Sequence, residues 1–154
     1  MSIESILEEK YGMKIPDTPK PGGIYSPVRR VGNLLYLSGQ TPTVNGVLAY
    51  TGVVGRDLSI EDGQNASQLC ALNLLAALKS YLEGDLSRVR QIVQLVGYVR
   101  SAENFGAQPQ VINGASQIFA DLYGQAGLAS RLALGTSELP GGAPVEVMIV
   151  VEID

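Results

Sequence analysis

Residues 131–154 read RLALGTSELPGGAPVEVMIVVEID. RLALGT has the pattern of a short strand, SELPGGAP of a connection, and VEVMIVVEID of a longer strand. Side chains alternate between faces along a strand. Arg131 therefore shares a face with Ala133 and Gly135, and Glu146 shares one with Met148, Val150 and Glu152. The opposite face of the longer strand is Val145, Val147, Ile149, Val151 and Ile153, which is core. A permanent positive charge thus stands over small residues, and a carboxylate sits near the start of an otherwise apolar strand. If these two strands pair, a small carboxylate-bearing molecule fits between Arg131 and Glu146. A salt bridge between the two, or two separately hydrated charges, fits the same spacing.

Upstream of that stretch, Pro109 suits the first turn of a helix running to about Tyr123. Val111, Ile112, Ala115, Ile118, Phe119 and Leu122 form its apolar stripe, and Asn113 points away from it. Before it lies a long strand, Arg88 to Arg100, with Val89, Val93, Leu95 and Val99 on one face and Ile92, Val96 and Tyr98 on the other. Both faces want cover. Helices supply one, and a second subunit is expected on the other. Ser59-Ile60-Glu61-Asp62 opens another helix as a capping box. Its stripe from Gly63 to Tyr81 has Cys70 near the centre, which reads as a buried small hydrophobe.

Ile24 to Arg30 and Asn33 to Leu37 read as a hairpin turned at Gly32-Asn33. LLYL in its second strand is expected to be central and buried. That strand ends in Ser38-Gly39-Gln40, where a hydroxyl and a glycine can offer a backbone amide to a ligand or simply make a turn. Residues 2–11 are expected to form a helix, and Gly12, Pro16, Pro19 and Pro21 keep residues 12–23 extended. The whole predicts one α+β domain over residues 1–154, with an N-terminal helical arm over 1–20 and both main helices on one side of a mixed sheet.

Composition narrows the chemistry. The 154 residues are 45% hydrophobic and only 17% charged, with a net charge of −4. The mean hydropathy is +0.15 and the pI about 4.8. No basic stripe exists to neutralise phosphates, so nucleic acid is not an expected partner. There is no histidine and a single cysteine. That removes Ser-His-Asp and Cys-His catalysis and the usual zinc and iron sites, and fits a reducing, cytoplasmic setting. No leader and no membrane-length apolar run can be read, so no membrane partner is expected. Any reaction must rest on Arg, Glu, Tyr, Ser, Asn and backbone groups, with no metal and no cofactor.

Several stretches together resemble one family: Ile24-Tyr25-Ser26, the run from Gly32 to Gln40, Gly84-Asp85-Leu86-Ser87-Arg88-Val89, Asn113-Gly114-Ala115-Ser116, Arg131 with Gly135, and Leu139-Pro140 followed by Pro144-Val145-Glu146-Val147. The ordered set, over about residues 20–154, resembles the RidA/YjgF family of reactive enamine/imine deaminases, also described as endoribonuclease-like. The arm and the wording NGAS resemble its longer branch. The resemblance implies a chorismate-mutase-like α+β fold and a homotrimer around a β-barrel core, with clefts between subunits. It places the family's carboxylate-binding arginine on Arg131 and its water-positioning glutamate on Glu146. Substrate-binding positions fall on Tyr25, Ser38, Gly39, Asn113 and Ala133.

Two departures stand out. Short members often carry a cysteine where this chain has Ala133, which leaves only the backbone amide there. Longer-branch members often read His-Ala-Arg-Ser around the arginine, where this chain reads Ala129-Ser130-Arg131-Leu132. The implied activity is hydrolytic deamination of 2-imino or 2-enamino acids to 2-keto acids and ammonia. A non-catalytic trimer that binds small carboxylates, and an endoribonuclease, are the alternatives.

Overall fold

In the computed structural model, which describes residues 1–154, the elements in chain order are α1 (Ile3–Tyr11), β1 (Val28–Val31), β2 (Leu34–Leu37), β3 (Thr43–Val44), β4 (Val47–Leu48), α2 (Ile60–Tyr81), β5 (Val89–Arg100), α3 (Gln108–Tyr123), β6 (Ser130–Thr136) and β7 (Val145–Ile153). Five strands form a mixed sheet in the order β1-β2-β7-β5-β6, and β3-β4 is a separate small hairpin. β5 and β6 are parallel and joined through α3, while the other neighbours are antiparallel. The fold is α+β, as expected. No helix is long and apolar enough to cross a membrane.

β6 and β7 do not pair. β5 lies between them, and β7 fills the slot between β5 and β2. The physical reason is apolarity. Val145, Val147, Ile149 and Val151 are fully buried and even Val150 is only 7% exposed, so β7 belongs inside the sheet. β6, with Ser130, Arg131, Gly135 and Thr136, tolerates the edge.

The helix layer packs on one face. Ser59 and Asp62 form the reciprocal capping box that starts α2. α2 and α3 meet so closely that a Cβ on Gly114 would lie 2.2 Å from the Gln64 carbonyl oxygen. Ser67, fully buried, bridges them, with its hydroxyl 2.9 Å from the Val111 carbonyl and accepting the Ala115 amide at 2.9 Å. Cys70 is fully buried, and burial pushes its thiol well above the ordinary range.

Three local expectations need correction. β1 begins at Val28 rather than Ile24, because Pro27 has no N–H for a ladder and Ile24 stands out in solvent. In β5, register shifts between Val89 and Gln91 and between Ile92 and Gln94 break strict alternation. Ile92 therefore joins Val89, Leu95 and Val99 in the core, and Val93 is only half-buried. In β2, Leu35 and Leu37 are buried but Tyr36 is exposed, so one face of LLYL stays open within a single chain. Tyr36, Tyr98, Leu132 and Leu134 share that open face through the sheet register.

α1 is capped by Ser2 and ends at Gly12 in the left-handed region (φ 64). It is pinned to α3 through Asp121, which accepts from Tyr11 and pairs with Lys10 at 2.9 Å. The extended stretch after α1 crosses α2, where the Thr18 hydroxyl donates to the Ala76 carbonyl at 3.2 Å.

Candidate functional site

Apart from Ala133, the residues singled out from sequence gather in two hollows. The first holds Arg131. This side chain leaves β6 on the helix side of the sheet, since it is in register with the buried Leu95. Its Nη1 donates to Asn113 Oδ1 at 2.7 Å and to Ser116 Oγ at 3.2 Å. Asn113 and Ser116 are three residues apart on α3, a spacing that places both on one side of a helix. Both acceptors are neutral, Arg131 has no carboxylate partner, and its side chain is exposed. The hollow beside it, about 320 Å³, is lined by Leu95, Ala120, Leu128 and Ala129 as well as these three.

The second hollow holds Glu146. This carboxylate leaves β7 on the open face, opposite Tyr98. Two backbone bonds fix the strand beneath it: Gln40 N donates to the Val147 carbonyl at 2.9 Å, and Val147 N donates to the Gln40 carbonyl at 3.1 Å. They press Gly39 against the glutamate, so that a Cβ there would sit 2.6 Å from Glu146 Oε2. Gly39 is needed for space, not for backbone conformation. Glu146 is half-buried, and this burial raises its carboxyl above the usual carboxylate range. Tyr25 and Ser38 line the same cleft, whose volume is about 940 Å³. The Tyr25 hydroxyl accepts the Gly22 amide at 3.0 Å, and the Ser38 hydroxyl donates to the Ser26 carbonyl at 2.7 Å.

The expected placing of a ligand between Arg131 and Glu146 of one chain is therefore not met. They sit on separated strands and on opposite sheet faces. Neither do they form a salt bridge. Ala133 lies two residues beyond Arg131, in register with Gly97, and lines neither hollow. Sequence reasoning missed Ser116, although NGAS contains it at the telling spacing from Asn113. It also missed Asn73 and the arm residues Thr18 and Lys20, which line the larger cleft. Nothing local in the sequence marks those three, because they meet only when the arm crosses α2. No three acidic or cysteine side chains converge in a way that would hold a metal ion.

A mixed sheet with two helices on one face and an open second face defines a chorismate-mutase-like α+β protein. The chain belongs to the RidA/YjgF family: the family model described as "YjgF/chorismate mutase-like, putative endoribonuclease" matches residues 5–153. Protein TCP17 of Trypanosoma cruzi is 35% identical over 147 residues, 95% of this chain and 91% of that one. A 2-iminobutanoate/2-iminopropanoate deaminase of Dermatophagoides farinae is 27% identical over 148 residues, 96% of this chain and 100% of that one. Among solved structures, protein Atu1372 of Agrobacterium tumefaciens, of unknown function, is similar with a TM-score of 0.93 and 44% identity, covering 99% of this chain and 92% of that one.

Proposed function

We propose that this protein hydrolyses 2-imino or 2-enamino acids to 2-keto acids and ammonia, in a cleft to which two copies of the chain contribute. The observation that carries this reading is the exposed guanidinium of Arg131, held by two neutral oxygens and left without a countercharge. Such a fork is oriented for a carboxylate from outside, through two parallel N–H bonds that lysine cannot reproduce. The imine deaminase among the relatives supports the same chemistry.

Because Arg131 and Glu146 of one chain face opposite sides of the sheet, the Arg131 that meets a given Glu146 comes from a second copy. The exposed Tyr36, Tyr98, Leu132 and Leu134 form the apolar face such copies would cover, in a homotrimer. Glu146 takes a proton from water as the oxygen bonds to the imine carbon, and the C=N electrons move to nitrogen. Glu146 returns the proton to nitrogen and then takes the hydroxyl proton as the C–N bond breaks, so that ammonia leaves and the ketone forms. A carboxyl whose proton affinity is raised by burial is a stronger base than a hydrated one. The Asn113 and Ser116 oxygens position the guanidinium, and Tyr25, Ser38 and Gly39 shape the wall around Glu146. An iminium carbon is already electrophilic, so this route calls on no cofactor. RNA cleavage is disfavoured by the net charge of −4.

The test feeds imine from an amino-acid dehydratase and follows 2-keto acid release. Wild type accelerates release, and Arg131→Ala lowers kcat/KM by at least about 30-fold, the ~2 kcal/mol lost on removing one partner of a hydrogen-bonded charge pair that the substrate and the second copy would enclose. Release that is the same with wild type, with the variant and with no protein would leave only a carboxylate-binding trimer.

A further inference from the structure

Among the polar groups of the larger cleft that the proposed hydrolysis does not use, one is nearly buried. Asn73, on α2, is only 2% exposed and lines the cleft. Its Nδ2 donates to the Thr41 carbonyl at 3.1 Å and the Thr43 carbonyl at 3.0 Å, and lies 3.1 Å from Thr43 Oγ1. Two carbonyl acceptors fix which end of the carboxamide faces them, because its oxygen could not take that place. Asn73 Oδ1 is therefore turned away from the loop, and no donor in the chain reaches it. No fully enclosed side-chain oxygen or nitrogen lacks a partner, so Oδ1 opens onto the cleft.

We propose that Asn73 Oδ1 is a specificity-determining subsite that accepts a hydrogen bond from an N–H or O–H group at the far end of the substrate's side chain. The proposal rests on the imino-acid reading above and names the substrate class within it: 2-imino acids whose side chain ends in an uncharged donor, such as a carboxamide. The residues around this acceptor agree. Polar side chains gather on one part of the cleft's lining, with Thr18, Gln40, Thr43 and Asn45 among the residues that line it beside Asn73 and Glu146. A simple alkyl side chain would leave these groups facing apolar surface. The arm forms one wall and is tied to α2 at Ala76, one turn beyond Asn73. It thereby holds the substrate's far end against this acceptor.

Calorimetry on the full-length protein tests this with stable carboxylates. 4-Carbamoylbutanoate and 5-oxohexanoate have the same shape and differ only in a terminal NH₂ against CH₃. Glutarate carries a terminal carboxylate, and 2-oxobutanoate reports the Arg131 reading alone. The amide acid is expected to bind about 3- to 10-fold more tightly than its methyl-ketone twin, one net hydrogen bond. Asn73→Ala is expected to bring the pair to equal affinity. If Asn73→Ala does not fold, the wild-type pair still decides. Equal affinities in wild type, or tightest binding of glutarate at Lys20, would overturn the subsite while 2-oxobutanoate binding keeps the wider reading intact. No binding of any of the four would overturn both.

Discussion

Glu146 owes its properties to a few contacts that can be changed singly. Burial raises its carboxyl above the usual range, so the basic form that the proposed water activation calls for appears only as pH climbs past that raised value. The acid limb of the kcat/KM profile is expected above the ordinary carboxylate range, and Glu146→Gln is expected to lose about 10²- to 10⁴-fold and flatten that limb. The same burial has a consequence for stability. The folded state holds this proton more tightly than the unfolded state, so the residue's contribution is most favourable below the unfolded carboxyl pKa. That contribution is lost as pH rises through the folded value. Glu146→Gln should therefore melt higher than wild type at neutral pH, with the difference vanishing in acid. Gly39 offers a cleaner probe. A methyl there meets the mobile end of the glutamate at 2.6 Å, so the carboxylate moves aside and the fold survives. Gly39→Ala is expected to lower kcat/KM by about 10-fold or more with Tm changed by no more than about 2 °C.

At the scale of elements, α3 is both core and support for the site. One side carries Val111, Ile112, Ala115, Ile118 and Phe119 into the interior, and another presents Asn113 and Ser116 to Arg131. Its seat on α2 depends on Gly114, where a Cβ would lie 2.2 Å from a backbone oxygen and 2.4 Å from Ser67 Oγ. Backbone cannot move aside as a side-chain end can. Gly114→Ala is expected to cost about 1–3 kcal/mol, read as a Tm lowered by several degrees in thermal melts. Capping boxes, apolar stripes and turn residues made the helices and the β1–β2 hairpin readable in advance. The two register shifts in β5 were not readable, because a bulge is set by the neighbouring strand's pairing and leaves no local residue pattern.

For the whole molecule, the placing of Arg131 and Glu146 on opposite faces gives the proposed shared cleft a direct test. Two variants that are each inactive should complement one another when copies are exchanged. In a co-refolded equal mixture of Arg131→Ala and Glu146→Gln, about a quarter of the shared sites regain both wild-type groups, and activity should recover to about that fraction. Activity that stays at the level of the separate variants would place both groups' action within one chain. The exposed tyrosines and leucines of the open face point the same way, since a lone domain gains nothing from leaving them in water.

Side-chain alternation, helical periodicity and caps were enough to determine the α+β class, the position of the core valines and isoleucines, and the two charged residues that stand out from it. Arg131 and Glu146 stood out from the strand pattern and Ser38-Gly39 from a strand end, whereas Tyr25 and Asn113 became candidates only through the family resemblance. Which of them meet was decided only by the tertiary structure. Strand order depends on which strand is apolar enough to be covered on both faces, and that competition seated β7 between β2 and β5 and left Arg131 at the edge. Asn73 and the arm residues line the larger cleft for a related reason: they come together through long-range packing, and spacing along a chain records only what is near in sequence.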